Sequence, residues 1–314
     1  MSAPEHAPVM VEEIVEALNI RPDGIYVDAT FGRGGHTRAI LEHLGPSGRV
    51  LAIDRDPAAC RHAREWTALE PRLSIAQAPF AELARVLEDA GLDHYVAGIV
   101  LDLGVSSPQL DDPGRGFSFL RDGPLDMRMD PTSGESAAQW LTHVKEDELA
   151  RVLRELGEER FARRIARAII VARSNGMLSS TGVLARVVED CVPRREPGKH
   201  PATRTFQAIR MHVNCELDQL ESVLPQALEM LIPGGILVVV SFHSLEDRRV
   251  KRFLREAASG YPYPPELPVT HDQICPQIER PRRARRPAAG EVSRNPRARS
   301  AVLRSACKSR GASP

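Results

Sequence analysis

The 314-residue chain has few aromatic residues, five scattered cysteines and no long apolar run. Aromatic residues make up 4% of the chain, which argues against a nucleic-acid surface built from many stacked rings. No Cys-x-x-Cys pair and no Cys/His cluster at zinc spacing occurs, so no metal site is predicted. The most apolar stretch, residues 236–240, is far shorter than the roughly 20 residues that span a bilayer. With no signal-peptide pattern either, these absences predict a cytoplasmic protein with no membrane partner.

The formal net charge is zero, but the charge is unevenly distributed. Residues 279–314 contain eleven Lys/Arg and two Asp/Glu, a net +9, which leaves −9 on the rest of the chain. A basic tail on an acidic body favours a polyanionic partner. A solvated, partly disordered tail is the alternative that charge alone leaves open.

Strand and helix patterns alternate along the first half of the chain and resume near the end. This alternation predicts parallel β-α-β units, and hence an α/β fold with a doubly wound, Rossmann-like sheet. The predicted strands are residues 24–30, 49–54, 73–76, 96–102 and 236–242, with an edge strand near 300–304.

A helical region interrupts the alternation. Residues 134–192 contain no strand pattern, and a long amphipathic helix is predicted across residues 206–224. Arg160, Arg163, Arg164 and Arg167 are predicted to share one helix face, which suits either solvent or a nucleic-acid backbone. The predicted organisation is a first domain segment at 1–110, a mainly helical insertion at 111–201, a second segment at 202–278 and a basic tail at 279–314.

The loop after the first strand is rich in glycine. Gly32 and Gly34 fit the first two glycines of the G-x-G-x-x-G pattern, but Thr37 stands in the third position. Asp54 ends the second strand, where an acid in Rossmann-like sites accepts hydrogen bonds from ribose hydroxyls. The pair fits a dinucleotide or S-adenosylmethionine, and the glycines by themselves also fit a purely structural turn.

Polar residues follow the fourth strand, at the edge of the sheet where ligands bind in open α/β folds. This run includes Asp102, Ser106, Ser107 and Gln109. No His/Lys arrangement suited to hydride transfer accompanies it. Its polar groups suit an exocyclic amine beside a sulfonium methyl group. No Asn/Asp-Pro-Pro-aromatic motif, typical of DNA amino-methyltransferases, follows the strand, so DNA is not a predicted partner.

Several motifs occur in order along nearly the whole chain. They are DATFGRGGH at 28–36, DLGVSSPQ at 102–109, RGFSF at 115–119, LDMRM at 125–129, GEER at 157–160, ATRTFQ at 202–207, SFHSLED at 241–247 and NPR at 295–297. Together they resemble the bacterial MraW family of ribosomal RNA small-subunit methyltransferases. Met10-Val11 stands where Leu-Leu is usual in the family, and the Arg-rich stretch 281–287 is not a family signature.

The resemblance implies a class I methyltransferase fold and S-adenosyl-L-methionine as cofactor. The implied reaction is N4-methylation of a cytidine in the decoding centre of 16S ribosomal RNA within the small subunit. The implied cofactor contacts are Gly34, Gly35, His36, Asp54, Phe80, Asp102 and Gln109.

Candidate catalytic residues are polar groups able to contact the target amine or take its proton. They are Asp102, Ser106, Ser107 and His243, and the alternative for the serines and the histidine is a turn or helix-cap role. Candidate RNA contacts are Arg160, Lys199, His200 and Arg204. The sequence leaves the oligomeric state open, a homodimer included.

Two other functions fit parts of the pattern. An NAD(P)-dependent oxidoreductase would use the same glycine loop and acid. A non-catalytic RNA-binding factor for subunit assembly would keep the fold without the reaction.

Overall fold

The computed structural model describes residues 8–193, 198, 200–260 and 275–311. These residues divide into two compact units, one formed by Met1–Gly104 with Leu217–Pro314 and the other by Val105–Glu216. The helical unit is thus wider than the 111–201 insertion expected from the sequence. Each unit has its own core, described below.

The first unit is built on a six-stranded sheet with the order β3-β2-β1-β4-β5-β6. The strands are β1 Ile25–Asp28, β2 Arg49–Asp54, β3 Leu73–Gln77, β4 Val96–Asp102, β5 Leu231–Ser241 and β6 Val302–Cys307. Pairs among β1 to β5 are parallel, and β6 pairs with β5 in the antiparallel direction. The predicted α/β class and the Rossmann-like sheet are confirmed, and the basic tail supplies the edge strand.

Alternate residues of the central strands face opposite sides of this sheet, as β geometry requires. Val27, Ile99 and Val239 belong to the apolar cluster on one side. Tyr26 and Val100 belong to the cluster on the other side. Because both sides are covered, the strands read as continuous apolar runs.

The helices of the first unit pack around this sheet. They are α1 Val11–Leu18, α2 Gly35–His43, α3 Pro57–Thr67, α4 Leu83–Asp89, α11 Glu216–Met230, α12 Ser244–Ser259 and α13 Ala289–Arg294. Asp56 caps α3 by accepting a hydrogen bond from the Ala58 N–H. In the described part of the chain, no helix is both long and apolar enough to span a membrane.

The second unit is helical, with α5 Ser107–Asp111, α6 Ala137–His143, α7 Glu146–Gly157, α8 Ala162–Ser174, α9 Thr181–Cys191 and α10 Thr203–Val213. Its core is a separate apolar cluster that includes Leu141, Ile165 and Ile209. The buried Asn214 side chain fastens the loop before α6, because it donates to the Met127 carbonyl and accepts from the Met129 N–H.

Two sequence-based expectations are corrected. The single helix predicted at 206–224 is two helices, α10 and α11, because Cys215 takes a left-handed conformation with φ 50° and ends the helical path. Arg160 lies in the turn before α8 and not on the helix face shared by Arg163, Arg164 and Arg167.

Candidate functional site

Three aspartates end three neighbouring strands of the sheet. Asp54 ends β2, Asp28 ends β1 and Asp102 ends β4. Asp28 is level with Ala52 and Val100, so Asp54 and Asp102 both extend two residues beyond it. Since one strand separates them, the ends of β2 and β4 are about 10 Å apart. This edge therefore presents one acid on each side of the glycine loop, Asp54 and Asp102.

Asp54 is held by backbone donors on both sides. Its Oδ2 accepts a hydrogen bond of 2.7 Å from the Gly32 N–H, and its Oδ1 accepts one of 2.8 Å from the Asp56 N–H. Burial raises the pKa of Asp54 to about 6, although these two hydrogen bonds oppose the rise. An ionised carboxylate can accept about four hydrogen bonds, so two positions remain for a ligand's hydroxyls.

A buried hydrogen-bond network joins β1 to β4. Asp28 is fully buried and accepts from the Thr37 hydroxyl at 2.7 Å and from the Thr30 N–H at 3.2 Å. The Thr30 hydroxyl oxygen in turn accepts from the backbone N–H of Asp102 at 2.7 Å. The network fixes the position of the Asp102 backbone relative to the end of β1.

Asp102 has a buried carboxylate oxygen, Oδ1, that lacks a hydrogen-bond partner among the described residues. Its Oδ2 lies 3.8 Å from Nδ1 of the buried His36. Burial raises the pKa of Asp102 to about 6, the His36 imidazole lowers it, and the carboxylates of Asp28 and Glu246 raise it further. A buried acceptor without a donor is costly to the fold, so this oxygen is suited to a ligand's N–H or O–H group.

Two further buried polar atoms without a hydrogen-bond partner in the described residues lie at the carboxyl end of β5, the neighbour of β4. They are Oγ of Ser241 and Nε2 of His243. His243 is the N-cap of α12, and its Nδ1 accepts from the Glu246 N–H at 3.4 Å. Its Nε2 lies 3.0 Å from Glu246 Oε1, but without the alignment of a hydrogen bond. The cap of α12 is thus His243, immediately before the first helical residue, Ser244.

The glycine loop has no room for side chains. Gly34 is left-handed at φ 73°, and a Cβ there would lie 2.5 Å from the Phe31 ring and 2.9 Å from Trp66. A Cβ on Gly35 would lie 2.5 Å from Pro8. The glycines are therefore required by the packing of the loop.

Of the remaining predicted cofactor contacts, one lies in each unit. Phe80 follows β3 at the start of a short 3₁₀ turn, partly buried against the core. Gln109 lies in α5 of the helical unit, buried, with its Oε1 accepting from the Ser106 N–H at 2.9 Å. Ser106 and Ser107 therefore begin a short helix, which is the cap role weighed against catalysis.

Three of the four predicted RNA contacts are described residues of the helical unit. Arg160 is exposed. Arg204 donates from Nη1 to the Glu158 carbonyl at 2.8 Å. His200 is exposed and packs on the Phe119 ring at 4.6 Å between centroids. Lys199 lies outside the described residues. The structure brings Arg204 close to the 157–160 motif that precedes α8.

The structure describes residues 279–311 of the basic tail, and part of the tail's charge is used inside the first unit. Arg304 forms two hydrogen bonds with Asp247, at 2.7 and 3.0 Å. Lys308 donates to the carbonyls of Glu229 and Leu231. These side chains fasten β6 to the sheet. Arg285 is also paired, with Glu16, so only the remaining basic residues of the tail are available to a polyanion.

Sequence reasoning did not select Asp28, Thr30, Thr37 or Glu246 as site residues. A signal for Asp28 was present, because three of the first four predicted strands carry an aspartate at or near their carboxyl ends. Nothing in the sequence pairs the Thr30 hydroxyl with the Asp102 N–H, since 72 residues separate them.

This edge suits the S-adenosylmethionine implied by the sequence resemblance. Asp54 has open acceptor positions, and Asp102 Oδ1 lacks a donor. These two acids match ligands that carry hydroxyl and amine groups. Within the described ranges, no group of three or more His, Cys, Asp or Glu side chains is arranged to hold a metal ion.

Comparison with known proteins agrees with this geometry. The model of the MraW methylase family matches residues 3–309. The chain is 57% identical to the ribosomal RNA small subunit methyltransferase H of Halorhodospira halophila, covering 96% of this chain and 94% of that protein. It is 56% identical to the protein of the same name from Chromohalobacter salexigens, covering 96% and 91%. The chain therefore belongs to the MraW methylase family, and its cofactor is S-adenosyl-L-methionine.

Proposed function

We propose that this methylase transfers a methyl group to N4 of a cytidine in the decoding centre of 16S ribosomal RNA, in the cytoplasm, with the small ribosomal subunit as substrate. The observation that carries the proposal is the carboxylate of Asp102, whose buried Oδ1 lacks a donor at the carboxyl end of β4. An exocyclic amine has two N–H groups, one of which can supply that donor.

The residues proposed to hold the cofactor divide its parts among them. Asp54 accepts the ribose hydroxyls, and the loop at Gly34 and Gly35 takes the methionine end. His36 orients Asp102, and Phe80 borders the adenine. Gln109 is proposed as a further polar contact from α5.

The chain's own chemical task is to orient the amine and receive its proton. Bound S-adenosylmethionine supplies a methyl group already activated on a sulfonium centre. The lone pair of the cytosine N4 is delocalised into the ring. A carboxylate that accepts from the amine makes N4 more nucleophilic and stabilises its developing positive charge. Asp102, with its pKa raised to about 6, is ionised near neutrality and takes a proton more readily than an ordinary aspartate.

His243 is the weaker candidate for the proton acceptor. Its Nδ1 accepts from the Glu246 N–H, so a neutral ring in this orientation carries its proton on Nε2. In that tautomer Nε2 is a donor. We therefore assign His243 to orienting the substrate, and Ser106 and Ser107 to contacts with the flipped base.

RNA binding is proposed for the helical unit and for the part of the basic tail that is not used in ion pairs. Arg160, Lys199, His200 and Arg204 are the proposed phosphate contacts. The family match leaves the nicotinamide-dependent alternative without support.

The test is a transfer assay with methyl-labelled S-adenosylmethionine and small subunits from cells that lack this modification. Nucleosides are then separated after digestion, and the expected label is in N4-methylcytidine. Asp102→Asn is expected to lose turnover while S-adenosylhomocysteine still binds. Label in another nucleoside would overturn the proposed target. Cofactor binding without any label would favour the non-catalytic assembly factor.

A further inference from the structure

The C-terminal helix α13 contacts the start of the chain's first helix. Oε1 of Glu291 accepts a hydrogen bond of 2.8 Å from the backbone N–H of Met10, across 281 residues of sequence. Met10 precedes α1, whose first N–H groups have no partner within the helix. A carboxylate at this position also interacts favourably with the helix dipole.

Met10 is held in a strained conformation. It is fully buried and left-handed at φ 55°, a region that residues with a side chain rarely occupy. Such a conformation persists only where its surroundings determine it. Here the Glu291 carboxylate holds the N–H, and the Met10 side chain packs in the same apolar cluster as Ala298.

On the other side of this turn, the Val9 carbonyl contacts His36, a residue of the proposed cofactor site. The carbonyl of Val9 lies 2.9 Å from Nε2 of His36, so this nitrogen carries the proton and donates to it. The opposite ring nitrogen, Nδ1, faces Oδ2 of Asp102 at 3.8 Å. His36 is 5% exposed, so its ring has little freedom to take another orientation.

The tail is anchored well enough to position Glu291. Arg285 forms two hydrogen bonds with Glu16 of α1, at 2.5 and 2.6 Å, and pairs through its backbone with Leu303 of β6. The Asn295-Pro296-Arg297 motif forms the turn that ends α13. There the Asn295 N–H donates to the Glu291 carbonyl at 2.7 Å, and the Asn295 side chain accepts from the Arg297 N–H.

We propose that Glu291 is a positioning residue for the cofactor site, acting through the Val9–Met10 turn and His36 on Asp102. The inference rests on the proposed function, in that it takes this edge as the place where the cofactor binds. The C-terminal segment thereby completes the site, although it lies far from it in sequence.

The test compares three variants by S-adenosylhomocysteine affinity, measured by calorimetry, and by the ¹⁵N resonances of the His36 ring. Glu291→Ala removes the acceptor and is expected to weaken affinity roughly threefold to tenfold and to shift the ring resonances. Glu291→Gln keeps an acceptor oxygen and is expected to remain close to the unmodified protein. Glu16→Gln is the matched control, because it weakens another contact between the tail and α1 without touching Met10.

Each outcome is decisive. Unchanged affinity and unchanged His36 resonances in Glu291→Ala would overturn the inference, as would an equal loss in Glu16→Gln. If Glu291→Ala does not fold, Glu291→Asp retains the charge but is too short to reach Met10, and the same loss is expected from it. Failure of the unmodified protein to bind S-adenosylhomocysteine would instead contradict the proposed function.

Discussion

The hydroxyl oxygen of Thr30 accepts a hydrogen bond of 2.7 Å from the backbone N–H of Asp102. Thr30 follows β1, and Asp102 ends the adjacent strand β4. The backbone N–H of Thr30 also donates to the Asp28 carboxylate. The contact between Thr30 and Asp102 therefore fixes the start of the glycine loop relative to Asp102, the acid that we place beside the target amine.

Thr30→Val is expected to destabilise the protein by about 1–2 kcal/mol, because the part-buried N–H of Asp102 loses its acceptor. It is also expected to weaken S-adenosylhomocysteine binding. Thr30→Ser keeps the hydroxyl and serves as the control in urea unfolding. Equal stability of the two variants would contradict the role given to the hydroxyl.

Asp102→Asn is expected to stabilise the protein without cofactor at pH 7.5 by about 3 kcal/mol. The pKa of Asp102 is raised to about 6 in the folded protein, from 3.8. The folded state therefore holds this proton more tightly, and the associated stability is present below pH 4 and is lost as the pH rises through 6. The gain from Asp102→Asn should accordingly grow between pH 4 and pH 6.

Urea unfolding at pH 4, 5, 6 and 7.5 measures the free energy of unfolding of the unmodified protein and of Asp102→Asn. Subtracting one pH curve from the other removes the contribution of Asp54, which both proteins share. Stability curves that stay parallel over the whole range would show that the Asp102 carboxylate is not destabilised by burial.

Gly34→Ala is expected to cost about 2–4 kcal/mol, from left-handed strain together with overlap of the new Cβ with Phe31 and Trp66. Gly91 is the matched control. It is left-handed at φ 64°, and no heavy atom lies within 4 Å of the position that a Cβ would take, so Gly91→Ala should cost only about 1 kcal/mol. Thermal unfolding of both variants separates strain from packing, and equal costs would argue against the crowded loop.

The basic residues of the tail are expected to divide into two groups. Arg283 and Arg286 are exposed, so changing each to alanine should lower the salt dependence of RNA binding by about one released counterion. Arg304→Ala should instead lower the melting temperature, because Arg304 pairs with Asp247. If Arg283→Ala and Arg286→Ala bind RNA with the same salt dependence as the unmodified protein, the tail is not part of the RNA interface.

The sheet and much of the site follow from local sequence patterns. All six strands overlap their predicted ranges. The parallel strands were predictable because buried parallel strands read as short apolar runs bounded by turns. Gly34, Asp54 and Asp102 could be selected because the carboxyl ends of parallel strands meet at one edge. The helix predicted at 206–224 was wrong because its apolar spacing continues through Cys215, where the backbone turns left-handed.

The sequence by itself determined the α/β class, the family and the edge of the sheet at which the acids gather, since each depends on residues close together in the chain. Only the tertiary structure decided which distant groups meet: Thr30 with Asp102, His36 with the Val9 carbonyl, and Glu291 with Met10. These contacts form only when packing brings remote segments within hydrogen-bond distance, and periodicity along the chain carries no information about that distance.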